Sequence, residues 1–146
     1  MAKQIRNCLQ TKNYQMPQEL FALKQSIIDH IVKYMNWGSA DNENDPNYNP
    51  NFDSGYTQEH VNQCEELLEE FLASLVNLAG TSQKEQIMGA VKTVVLSLNK
   101  LNEACDRPLI ETSEREQICE LISTAAKQAG LESDDEDDIT EEWREW

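Results

Sequence analysis

The sequence predicts an all-α protein: an antiparallel four-helix bundle with a long Asn/Asp-rich loop between helices 1 and 2 and an acidic C-terminal tail. Three observations predict it. Apolar residues recur at steps of three and four in four separate segments. Glycine and proline are scarce, five and four in 146 residues, and most stand at the joints between those segments. Three of the segments follow one another through short connections, which make neighbouring helices run in opposite directions. At about 150 residues per domain, one domain is expected over 1–146, with the bundle in 17–130 and the tail in 131–146.

Helix 1 is predicted over 17–37, where Leu20, Leu23, Ile27, Ile31 and Tyr34 form a stripe that Phe21, Ile28, Val32 and Met35 widen. Pro17 suits its first turn, since the missing N–H would have had no partner there, and Gly38 suits the position just past its end. Helix 2 spans 56–79, with Thr57 as a cap, Val61, Cys64, Leu68, Phe71, Leu75 and Leu78 as its seam, and Gly80 as its stop. Ser82 with Glu85 makes a capping box for helix 3, whose seam is Ile87, Val91, Val94, Leu98, Leu101 and Cys105 and which ends before Pro108. The β-branched run Val91, Thr93, Val94, Val95 sits inside that repeat, so helix is preferred there to strand. A second box, Ser113 with Glu116, opens helix 4, with Ile118, Leu121, Ile122, Ala125 and Ala129 inward and Gly130 as a left-handed terminator.

Two segments break the periodicity. Residues 41–53, DNENDPNYNPNFD, are longer than the usual helix connection, and such loops tend to be either functional or disordered. The tail from Glu132 carries nine acids against Arg144 alone. Within it Asp138 as a cap, with Ile139, Trp143 and Trp146 at helical spacing, predicts a short closing helix.

The formal net charge of −15 argues against nucleic acid and anionic membrane as partners, since both need a cationic face, and points to a basic partner. No run of eighteen apolar residues occurs, which excludes a spanning helix. The first thirteen residues carry Lys3, Arg6 and Lys12 but no apolar run of seven, so no secretory signal is read and a cytoplasmic location is expected. Cys8, Cys64, Cys105 and Cys119 lack the spacing of a disulfide framework or a C-x-x-C pair. They are expected reduced, the last three as buried thiols.

Signatures of catalysis are absent: there is no G-x-S-x-G elbow, phosphate loop, dinucleotide fingerprint or H-E-x-x-H. His30 and His60 are too few for a three-histidine zinc site, and neither follows a glutamate at the di-iron spacing. Asp41, Glu43 and Asp45 alternate like the start of a calcium loop, yet Pro46 and Phe52 stand where that loop needs glycine and a bidentate glutamate. No enzyme activity, metal or cofactor is therefore expected.

Binding is more legible. Glu65 with Glu69, and Glu66 with Glu70, repel at i, i+4, a repulsion that a cationic partner would relieve. Beside them Tyr48, Phe52, Asp53 and Tyr56 close the loop, and Trp143 stands in the tail. Aromatic residues of this kind serve as binding anchors. These nine are the candidate partner-binding residues. A small, acidic, all-helical chain with carboxylates clustered on a helix and tyrosines beside them resembles the immunity proteins with which bacteria neutralise cationic toxin domains, among them the four-helix colicin-DNase inhibitors and the inhibitors of contact-dependent toxins. The resemblance covers 17–130 in composition and periodicity, and this chain has an extra acidic tail. It implies a non-enzymatic inhibitor that occludes a basic toxin domain such as a nuclease, and assigns no role to a single residue. The alternatives are a homodimeric helical adaptor or assembly protein, and a bundle that binds a metal or small molecule.

Overall fold

The computed structural model describes residues 17–78, 84–105, 109–134 and 137–146. Cys8, Gly80, Ser82, Pro108, Asp135 and Glu136 lie outside the described residues. Four α-helices are described: α1 Gln18–Met35, α2 Gln58–Leu78, α3 Lys84–Glu103 and α4 Thr112–Gln128, with a 3-10 turn at Ala40–Asn42. No strand occurs among the described residues, and Val91 to Val95 lie inside α3.

The stripes do what their spacing requires. From α2, Val61, Cys64, Leu68, Phe71 and Leu75 are buried, and from α3 Ile87, Val91, Val94, Leu98 and Leu101. These meet Leu20, Ile27 and Ile31 of α1 and Ile118, Leu121, Ile122 and Ala125 of α4 in one cluster. Each helix hides one stripe and leaves its other face to water, as an amphipathic bundle demands. Packing runs α1 to α2, α2 to α3, α3 to α4 and α4 back to α1, with α2 also touching α4. Glu19 at the start of α1 accepts a hydrogen bond from Gln128 at the end of α4.

The helix ends divide. Gly130 takes φ 118°, its N–H bonding the Lys127 carbonyl and that of Leu131 the Ala126 carbonyl. This double closure needs a left-handed residue after the helix. At α2 the expected cap Thr57 is answered by His60, whose Nδ1 accepts the Thr57 N–H at 3.1 Å, doing the work a glutamate does in a capping box. Gly38 is needed for space: a Cβ there would lie 2.9 Å from the Asn49 carbonyl oxygen, where the loop folds back on α1.

Several expectations are corrected. Pro17 caps α1 from outside with an extended ψ of 138°. The cap of α4 is Glu111, with Ser113 already inside the helix, so Ser113 and Glu116 form no capping box there. Cys105 and Cys119 are half-buried rather than buried, though both, like Cys64, stand outside any disulfide. Phe21 and Tyr34, read as part of the α1 stripe, are 49% and 37% exposed. Their place inward is taken by Lys24, 6% exposed, because Leu20, Lys24, Ile27 and Ile31 keep the 4-3-4 step that Leu23 was given.

The tail forms no closing helix but a docked turn. Asp138 does cap it, its Oδ1 accepting the Thr140 N–H at 3.0 Å and the Thr140 hydroxyl at 2.5 Å. Arg144 bonds Asp138 at 2.9 Å. Buried Asn99 of α3 acts as a surrogate backbone, donating to the Trp143 carbonyl at 2.7 Å and accepting the Glu145 N–H at 3.1 Å. Ile139, Trp143 and Trp146 then pack on the core.

Candidate functional site

The four glutamates of α2 do not form one surface. Successive helical residues point about 100° apart, so Glu65 and Glu69 face α1 while Glu66 and Glu70 turn toward α3. On the α1 side the Lys24 ammonium bonds Glu65 at 3.0 Å and Glu69 at 2.9 Å. The repulsion of that pair is thus relieved within the chain, which removes the need for an outside cation there. Burial alone would push the Lys24 ammonium down, but the hydrogen bonds and charges of Glu69 and Glu65 together hold it above the ordinary 10.5. On the other side, Glu66 and Glu70 line an open groove between α2 and α3, whose floor includes Leu67, Leu101 and Ala104. They make no ion pair among the described residues. Lys100 lines the same groove, which continues past Glu70 along Phe71, Ala90 and Val94.

The loop aromatics serve the loop first. Trp37 donates from Nε1 to the Asn47 carbonyl at 3.2 Å. The loop's Asx side chains turn the backbone: Asp45 accepts the Asn47 N–H, Asn49 that of Asn51, and Asp53 that of Gly55, where φ is 88°. Of the alternating acids that look like a calcium loop, Asp45 makes an Asx turn, while Asp41 lies in the 3-10 turn and Glu43 ends it. Among the described residues no group of three or more His, Cys, Asp or Glu is placed to hold a metal ion.

Of the predicted anchors, Tyr48 is half-buried, with its N–H on the Asp45 carbonyl. Phe52 is half-buried, its ring edge-on to Tyr34 at 5.0 Å. Tyr56 is 5% exposed, donates to the Ile31 carbonyl at 3.2 Å and stacks toward Tyr34 at 6.4 Å, so it is a core residue and not a surface anchor. Burial, reinforced by the nearby Glu114 carboxylate, pushes its phenol well above the ordinary 10.0. Asp53 is exposed. Trp143 is half-buried against α3 by the Asn99 clamp, away from the loop in the contacts it makes.

Sequence reasoning missed a cleft at the loop end of the bundle. A cavity of about 230 Å³ is lined by His30 and Tyr34 of α1, Tyr56, Leu109 and the start of α4 from Glu111 to Glu114. Glu114 there is 6% exposed, and its ion-pair partner is His30, Nε2 to Oε1 3.5 Å. The nearest signal in the sequence is that Glu114 falls at i−4 to the buried Ile118. A second cavity, between α4 and the tail, is lined by Glu116, Glu120, Asp137 and Asp138 with Cys119. Arg144 Nη1 reaches that thiol at 3.0 Å.

No helix among the described residues is long and apolar enough to cross a membrane. The chain matches no family model, no curated protein and no solved structure.

Proposed function

We propose that this chain is a non-enzymatic, cytoplasmic binding protein of the immunity or antitoxin type, which occludes a basic protein partner such as a toxin nuclease. The observation that carries the reading is the groove between α2 and α3, where exposed Glu66 and Glu70 lie beside an apolar floor and make no ion pair among the described residues. An acidic rim over an apolar groove suits a segment that brings basic residues flanking an apolar one. The rim steers the encounter, and the floor supplies the affinity. Glu65 and Glu69 drop out of the binding surface because Lys24 already engages them. The helices are read as running antiparallel, supported by the Glu19–Gln128 bond at one end of the α1–α4 pair and the His30–Glu114 pair toward the other.

An inhibitor is normally encoded beside its target, so the test uses the product of the adjacent gene. Association kinetics with that protein are expected to slow about tenfold in the double variant Glu66→Lys/Glu70→Lys, mostly in the on-rate and mostly at low salt. Unchanged kinetics would move the site away from this groove. A self-associating adaptor is the second reading, favoured by Leu96, 39% exposed on α3. Light scattering on the eluted peak separates the two: a monomer at working concentration removes the adaptor reading.

A further inference from the structure

The cleft at the loop end of the bundle is built differently from the acidic surfaces. Its floor holds a carboxylate, Glu114, whose side chain is 8% exposed, and the group facing it is the His30 ring, itself 45% exposed and 3.5 Å away. A carboxylate so far removed from water needs a close counter-charge or a full set of donors, because an unpaired buried charge is costly. A histidine at that distance, charged only when protonated, supplies the counter-charge poorly. The N-terminal end of α4 carries the carboxylates of Glu111 and Glu114, which disfavours an anionic ligand. The remaining wall combines the rings of Tyr34 and Tyr56, inclined by 26°, and Leu109 with the polar residues Thr112 and Ser113. Tyr56 spends its hydroxyl on the Ile31 carbonyl, so it presents a ring and not a donor.

A buried carboxylate behind a wall of tyrosine rings is the chemistry that takes an ammonium group: charge meets charge, and the polarised C–H and N–H groups lie on ring faces. From the cavity lined by His30, Tyr34, Tyr56, Leu109, Glu111 and Glu114, we infer a binding site for a primary alkylammonium group on a short apolar stem. Such a group comes either as a free amine or as the end of a lysine side chain.

The test titrates n-butylamine into the intact protein at physiological salt and follows the His30 ring and the tyrosine rings by NMR. N-acetyl-lysine amide serves as the lysine arm, and n-butanol as the uncharged control. Saturable shifts with n-butylamine and none with n-butanol are expected. Parallel shifts with the lysine derivative assign the site to lysine side chains as well, and their absence restricts it to free amines. Glu114→Gln is expected to weaken binding about tenfold or more, the loss of one charge-assisted contact. Should that variant fold poorly, Tyr34→Leu at a half-open position is expected to weaken binding severalfold by removing a ring face. Equal binding of n-butanol, or amine binding that survives both Glu114→Gln and Tyr34→Leu, would overturn the inference.

Discussion

Lys24 shows how a single side chain redirects a surface. It is nearly buried, whereas its partners Glu65 and Glu69 keep 32% and 52% of their side chains exposed, so the two directions of mutation are unequal. Removing both carboxylates strands a buried ammonium, but removing the ammonium leaves carboxylates that reach water. Glu65→Gln/Glu69→Gln is therefore expected to cost about 2–3 kcal/mol in urea melts and Lys24→Met about 1 kcal/mol, since methionine keeps the packed stem. Equal costs would mean that Lys24 is solvated in solution. The pH sign follows from a raised folded value: this stabilisation is whole below 10.5 and is lost as pH rises through the folded value. Cys64 acts in the same direction. Burial pushes its thiol up to about 12 from 9.0, so the folded state resists ionising it and alkaline pH erodes stability above 9.0. Iodoacetamide at mildly alkaline pH should spare Cys64 in the folded protein while modifying it in urea. The step 20–24–27–31 was visible in the sequence, yet a lysine inside an apolar stripe reads as a boundary, and only the two glutamates forty residues on explain why it is inside.

At the scale of elements, the helices were legible because their stripes are long and their buried residues are the ones that the spacing selects. What local pattern could not give was contact between distant segments. A run of acids from Asp134 to Asp138 predicts repulsion and solvation, and nothing beside Asn99 marks it as the residue that holds the chain's end. Docking follows instead from long-range pairing, in which a buried amide matches the backbone at Trp143 and Glu145 while two tryptophans cover apolar surface. Asn99→Ala is expected to lose about 1–2 kcal/mol and to loosen the tail, because it leaves the partners of two partly buried hydrogen bonds unmatched. In a Trp37→Phe background the remaining fluorescence comes from Trp143 and Trp146, and it should shift to the red. No shift would mean that packing alone seats the tail. Asp138 adds an acid limit. Burial alone would raise its carboxyl, but the Thr140 hydrogen bonds and Arg144 hold it below the ordinary 3.8. Its stabilisation is therefore present above 3.8 and is lost as pH falls through the folded value, and the same emission should redden there.

Across the whole molecule, a formal charge of −15 acts on folding and on binding with opposite signs. Like charges spread over one surface repel in the folded state more than in the expanded chain, so screening should stabilise the fold. The same screening weakens the pull on a basic partner. Salt is thus expected to raise the melting temperature while it slows association. The Lys24 bridge changes less than fully exposed pairs do, since its ammonium is buried although its two carboxylates reach water, where charges are screened beyond about 8 Å at physiological strength. Glu66→Lys/Glu70→Lys tests both consequences in one protein. Those two carboxylates make no ion pair among the described residues, and although two lysines there remain an i, i+4 like-charge pair, the exchange takes the formal charge from −15 to −11 and so lowers the repulsion across the whole surface. The variant should melt higher than the parent at low salt, converge with it at high salt, and associate more slowly with the adjacent-gene product. A lower melting temperature at low salt would show that Glu66 and Glu70 hold the α2–α3 groove together, most simply through Lys100. The groove would then be an internal contact whose acids serve the fold rather than a partner.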